Sequence, residues 1–386
     1  MKESAFPWPW RGPENRRLSL LVLGWIAAVH LWALAVFGVA PIAREPQWSA
    51  DVVARAPLLA RFDSGWYDTI ARHGYPPPPP PGHEAPHAFF PLYPLTVRAL
   101  YLATGIESFR LGLAVSWAAL LLAIPLLAEE ARERLGEGRG REALPYLLLY
   151  PVAFFFAAVY TESVFLLLAL LAFRSVRRDR LGAAAIPAFL LGLTRAPAVA
   201  IGPALALTWL AGRKVTRGRV AGAALLALLP LAGVLSWVFG VGLWKGEPML
   251  FFRVMEAWRP GVAEAAGGPA AFVAELVRDV RRGHFAAHPG AVAPYFHLLL
   301  FAVLGALQAA RRRWADAAWT AGVLSLPILT GTAAGIPRYT LTIYPCFTLA
   351  GELGAERPWL GRVWLGASAA LLLVRIAFFV NWRFVS

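Results

Sequence analysis

Apolar runs long enough to cross a bilayer recur along this chain, separated by short basic linkers, and that pattern leaves few folds open. A spanning helix needs about 20 apolar residues, each rising about 1.5 Å through a hydrocarbon layer of about 30 Å. Leu18–Ala40 meets the requirement first, and Leu111–Ala128, Ala143–Tyr160, Thr161–Phe173, Leu181–Thr194 and Ala196–Ala211 follow. Val220–Trp244, Pro294–Ala310, Ala317–Gly335, Tyr339–Gly354 and Val363–Asn381 complete the series. Only 16% of the 386 residues are charged and 58% are hydrophobic, against roughly 25% charged in a soluble domain. A water-soluble chain of this length could not bury so much apolar surface. The expectation is one all-α integral membrane domain over 1–386: a polytopic bundle of about eleven transmembrane helices with amphipathic helices in its outer loops.

The net charge of +14 does not point to nucleic acid, because the basic residues form short clusters between apolar runs and no continuous stripe. Those clusters instead orient the bundle. Lys2, Arg11, Arg16 and Arg17 precede the first run, and Arg132–Arg141, Arg174–Arg180, Arg213–Arg219, Arg311–Arg313 and Arg357/Arg362 separate later ones. Placing them all in the cytoplasm gives strict alternation over eleven spans, with the N-terminus inside and the C-terminus outside. The short runs then pair as hairpins, Ala143–Phe173 and Leu181–Ala211, and segments 41–110 and 245–293 fall outside the cell (inner) membrane. The single cysteine, Cys346, forbids an internal disulfide. No cleavable signal is evident, and no repeat of fixed period suggests an inverted-repeat transporter.

This topology gathers polar residues on the extracytoplasmic face: Arg61 to Asp68, the hairpin tips Tyr160-Thr161-Glu162 and Thr194-Arg195, and Pro337-Arg338-Tyr339. Polar groups at membrane depth are expensive, so such a cluster is a functional candidate. Reading 58–72 as a helix with Leu58 at 0°, Asp63 falls at about 140°, inside the arc of Phe62, Trp66, Ile70 and Tyr67. Asp68 falls at about 280°, beside Arg61 and Arg72, and reads as a solvated residue with an i,i+4 arginine partner. Asp63 reads as a carboxylate held where the protein packs, or as the N-cap of a helix starting at Ser64. Arg195 and Arg338 read either as snorkelling side chains or, together on one face with Asp63, as a bidentate phosphate site. Glu162 is expected to pair with an arginine or a backbone donor.

The spacing of His83 and His87 matches helical ligation, but six prolines, Pro76–Pro81, precede them and form an extended spacer. With His73 they lack a third ligand in register, so no metal site is assigned. Glycine-rich phosphate loops, Ser/His/Asp arrangements and cysteine pairs are absent, no cofactor is indicated, and Gly267-Gly268-Pro269 reads as a flexible loop.

Arg61-Phe62-Asp63-Ser64-Gly65-Trp66-Tyr67, with Ile70-Ala71, His73-Gly74-Tyr75 and Phe89-Phe90-Pro91-Leu92-Tyr93-Pro94, resembles the GPI mannosyltransferase II (PIG-V-like) family and its bacterial relatives. Tyr160-Thr161-Glu162-Ser163, Leu193-Thr194-Arg195 and Pro337-Arg338-Tyr339 keep the family's order. Phe62 stands where a tryptophan usually precedes the aspartate, and the six-proline insertion is atypical. The resemblance implies a GT-C superfamily glycosyltransferase, most simply a mannosyltransferase. Such an enzyme moves a sugar from a polyprenyl-phosphate-linked donor to a lipid, glycan or protein acceptor on the extracytoplasmic side. Asp63 would be the catalytic base and Arg338 and Arg195 the donor-phosphate ligands, with Trp66, Tyr67, Tyr160, Glu162, Tyr339 and Asp68 as further substrate-site candidates. Two other classes are open to this sequence, a lipid-linked sugar flippase and a non-catalytic subunit that binds membrane lipids.

Overall fold

The structure, a computed structural model, describes residues 13–39, 48–136, 139–258, 268–282, 292–331, 333 and 335–383. Lys2 and Arg11 of the expected N-terminal cluster and Gly267 of the expected flexible loop lie outside them. The chain opens with α1 (Pro13–Val36), a short α2 (Ala50–Arg55), α3 (Ser64–His73), α4 (Leu92–Thr104) and the long α5 (Ser108–Leu135). A single turn, α6 (Ala143–Leu148), precedes α7 (Glu162–Arg177), α8 (Leu181–Gly192), α9 (Ile201–Leu210) and α10 (Arg217–Lys245). Then come α11 (Leu250–Trp258), α12 (Pro269–Arg281), α13 (Ala293–Ala310), α14 (Trp314–Thr330), α15 (Ile336–Leu341), α16 (Tyr344–Glu356) and α17 (Pro358–Val380). No strand occurs among the described residues.

The protein is an α-helical, membrane-embedded chain of multi-pass character. Five helices, α1, α5, α10, α13 and α17, are long and apolar enough to cross a membrane. They match five of the eleven expected spans. The other six runs fold into shorter pieces, mostly in the interior. The expected helix Ala143–Tyr160 is the clearest departure: α6 stops at Leu148, and a 3₁₀ turn covers Ala153–Ala157. Pro151, with no N–H to give, interrupts the ladder. Backbone freed in this way is tolerated at membrane depth only when other donors satisfy it. Here the indoles of Trp25 and Trp117 donate to the carbonyls of Leu148 and Ala157, both at 2.9 Å. The hydroxyls of Ser163, Ser64 and Ser116 serve Phe156, Val159 and Tyr160.

α7 is the central element. Phe165, Leu166, Leu168, Ala169, Ala172 and Phe173 are all buried, because α5 and α8 flank it along its length. Beyond α8, the Gly192 and Gly233 backbones approach so closely that a Cβ on Gly192 would lie 2.7 Å from the Gly233 Cα. Small residues permit this approach between α8 and α10, as in membrane helix pairs generally. α1 and α17 pack against each other at the periphery and leave Leu20, Leu31, Leu34 and Leu371 exposed.

The 16 residues of α7 make it about 24 Å long, and its ends carry opposite kinds of polar group. Arg174 and Arg177 of its last turn pair with Glu129 and Glu130 of α5, and Arg134 of α5 pairs with Asp316 of α14. This is the arginine-rich end that the basic linkers assign to the cytoplasm. Glu162 starts the opposite end, where Asp63, Arg195 and Arg338 also lie.

Candidate active site

Asp63 does not sit inside a helix over 58–72. Pro57 and a left-handed Phe62, φ 53°, keep residues 56–62 out of helical geometry, and α3 begins only at Ser64. Asp63 occupies the N-cap position, yet its side chain makes no capping bond. Its carbonyl accepts from the Trp66 and Tyr67 N–H groups at 3.0 and 3.2 Å. The carboxylate turns away and accepts from Arg338 Nη1 through Oδ2 at 2.7 Å.

Arg338 is presented by α15, a six-residue turn opened by Pro337 and preceded by Gly335 at φ 82°, a conformation suited to glycine. Its Nε donates to Glu162 Oε1 at 2.9 Å. The guanidinium lies 4.6 Å from the Tyr160 ring centroid and 5.0 Å from that of Phe155, contacts that hold an arginine flat against aromatic faces. Arg195, in extended backbone just before the 3₁₀ turn Ala196–Ala200, donates through Nη1 to the same Glu162 oxygen at 2.8 Å. It lies 5.5 Å from the Tyr339 ring centroid. Glu162 is fully buried in the first turn of α7, where the helix N-terminus favours negative charge. One carboxylate therefore sets the spacing of two arginines.

These groups open into a cleft of about 290 Å³. Asp63, Arg195, Arg338, Tyr67, Thr161, Thr194 and Tyr339 form its polar side, and Phe89, Phe90, Phe251, Met255 and Trp258 form an aromatic and apolar wall. Arg338 Nη1 and Nε and Arg195 Nη1 are the donors already used. Arg338 Nη2, Arg195 Nη2 and Asp63 Oδ1 make no hydrogen bond among the described residues. Two arginines and a carboxylate, each with an atom unpaired among the described residues, thus line one cleft.

No protein-family model, curated protein or solved structure matches this chain. A functional reading therefore rests on the chemistry of the cleft.

Of the residues given site roles from the sequence, Asp63, Tyr67, Arg195, Arg338 and Tyr339 lie at the cleft's surface, with Thr161 and Thr194 of the hairpin tips beside them; Trp66, Tyr160, Glu162 and Asp68 do not line it. Glu162 is one layer behind the arginines. Tyr160 is buried beneath Arg338 and donates its hydroxyl to the Arg61 carbonyl at 3.0 Å. Trp66 backs the wall, stacking on Phe89 and meeting Trp258 edge-on. Asp68 requires a correction. It is not solvated but 3% exposed, and its partner is Arg55, Nη2 to Oδ2 3.1 Å, with Ser108 on Oδ1. Arg72 pairs instead with Asp51 at 3.8 Å. Arg61 turns its guanidinium to the carbonyls of Pro57, Ala60 and Val380. The angular reading failed because it needed one helix through Phe62, and α2 then brought Arg55 to a position that local spacing cannot see. Asp68→Asn is accordingly expected to lose about 1–3 kcal/mol of stability, the scale of a buried charged hydrogen bond. A lowered thermal midpoint with ordinary activity per folded molecule checks it.

The wall residues of α11 were missed. Phe251, Met255 and Trp258 recur at i, i+4 and i+7 on one helical face, a legible signal inside a segment otherwise read as an outer loop. His83 is exposed, and His87 is buried with Nε2 on the Pro76 carbonyl at 3.0 Å, so the two do not share a site. The proline run is held by Lys245 on the Tyr75 carbonyl and Arg253 on the Pro79 carbonyl.

Proposed function

We propose that the protein is a membrane glycosyltransferase of GT-C type, most simply a mannosyltransferase, that moves a sugar from a polyprenyl-phosphate donor to an extracytoplasmic acceptor hydroxyl. The observation that carries this reading is the composition of the cleft, which is lined by a carboxylate and two arginines, each with an oxygen or donor unpaired among the described residues. Asp63 Oδ1 takes the proton of the acceptor hydroxyl as that oxygen attacks the anomeric carbon. The bond from this carbon to the phosphate oxygen breaks through an oxocarbenium-like state. The leaving lipid phosphate gains charge, which Arg338 and Arg195 meet with planar, fixed donors. A single displacement inverts the anomeric centre.

A place for the lipid also supports this reading. An apolar groove of about 450 Å³ is lined by Pro91, Leu92, Leu95, Ala99, Leu100 and Leu193. Leu193 directly precedes Thr194 and Arg195 of the cleft, and the Leu92 N–H donates to the Leu193 carbonyl at 3.0 Å. The eleven-span topology belongs to the same proposal. It expects reagents outside the cell to label cysteines placed near Glu84, and to miss those placed in Arg174–Arg180 or Arg213–Arg219. External labelling of the Arg213–Arg219 loop would sink that topology.

The direct test incubates purified protein in lipid nanodiscs with labelled polyprenyl-phosphate mannose and a cell-envelope acceptor extract. Release of polyprenyl phosphate together with a mannosylated product is expected. Passage of intact donor across a vesicle bilayer, with no cleavage in either assay, would replace this reading with a lipid-linked sugar transporter.

A further inference from the structure

α12 lies at the cleft's end of the molecule, and its two faces differ sharply. Inward, Phe272 packs with Ala333 and Ile336, Glu275 Oε2 accepts the Ala333 N–H at 3.3 Å, and Asp279 accepts from the Tyr295 hydroxyl. A Cβ on Gly331 would come within 2.9 Å of the Ala271 Cβ, so the helix is pressed onto the turn that leads to Arg338. Outward, Val273, Val277 and Val280 are 56%, 40% and 59% exposed, and their i, i+4, i+7 spacing makes one stripe. Arg278, Arg281 and Arg282 are also exposed and make no ion pair or hydrogen bond among the described residues.

A bare valine stripe beside three arginines that form no ion pair among the described residues is not a face made for water. It has the composition of a helix that lies in the interfacial layer, apolar side toward the acyl chains and cations among the headgroups. The neighbouring surface continues it: Leu329 of α14 and Phe296 and Leu299 of the long apolar α13 are exposed as well. We propose that α12 docks flat on the membrane surface and that its ligand is anionic phospholipid, held by Arg278, Arg281 and Arg282. Bound in this way, α12 anchors the turn bearing Arg338 to the bilayer. The inference needs a membrane-embedded protein but not the proposed reaction.

The test places a nitroxide at Val277→Cys in a Cys346→Ala background, with the full chain reconstituted in phosphatidylcholine vesicles or in vesicles rich in phosphatidylglycerol. In the anionic vesicles the label should meet lipid-soluble oxygen in preference to a water-soluble nickel chelate. The ratio of membrane-inserted to free label should exceed that in phosphatidylcholine by about 10- to 100-fold, the scale for three arginines at an anionic surface. Replacing Arg278, Arg281 and Arg282 together by Gln should abolish the difference between vesicles, while a label at exposed Glu84 should not respond. A water-like label in both vesicles would overturn the proposal. So would insertion independent of lipid charge, or shielding from both oxygen and nickel, which would mean that another protein or a second copy covers the face.

Discussion

Asp63→Asn is expected to lower sugar transfer by about 100-fold or more, the usual contribution of a general base, while the protein still folds and inserts. The two halves of this expectation have separate grounds. Asparagine keeps an oxygen that can accept from Arg338 Nη1, the 2.7 Å contact seen now, and Glu162 still neutralises Arg338 from the other side. Neither Ser64 nor α3 depends on the Asp63 side chain, which makes no cap. An amide cannot take a proton from the acceptor, so the chemical step is what fails. The measurement is transfer by the purified variant per folded molecule, with donor binding measured separately. Near-normal turnover in Asp63→Asn would remove the base from the mechanism.

Arg338→Ala is the second large effect, a loss of about 10- to 1000-fold on the scale of one removed oxyanion-type donor. Arg338 does three things at once: it binds Asp63, it binds Glu162, and it lines the cleft. Arg338→Lys separates these functions. Lysine keeps the charge, but its point-like ammonium cannot reproduce the fork that spans both carboxylates and a phosphate. Donor KM should therefore rise more than kcat falls. Arg195→Lys should follow the same pattern more mildly, because among the described residues Glu162 is the one carboxylate that Arg195 contacts. Unchanged transfer in a well-folded Arg338→Ala protein would separate the arginine from the donor phosphate.

Five long helices, and the gathering of Asp63, Arg195, Glu162 and Arg338 at one end, were legible from apolar run length and the alternation of basic linkers. Both signals are local or nearly so, since a run either reaches across a bilayer or does not, and basic linkers mark one end of the bundle. The broken segment 149–160 was not legible. Its composition is as apolar as a spanning helix; Pro151 breaks the ladder, and donors distant in sequence, Trp117, Ser64 and Ser116 among them, satisfy its carbonyls.

The aspartates mark the boundary most clearly. By itself the sequence determined that both lie in one arginine-rich stretch between apolar runs, because charge and apolar periodicity are properties of neighbours along the chain. The sequence already set Asp63 apart as the packed carboxylate; what holds each of the two was decided by tertiary structure alone. Phe62 turns left-handed between aromatic rings of the C-terminal segment, Phe379 and Trp382. Arg55 reaches Asp68 across 13 residues, and Arg338 reaches Asp63 across 275. Ion pairs in a low-dielectric interior are set by which side chains packing brings within a few ångströms, and no spacing along one helix encodes that.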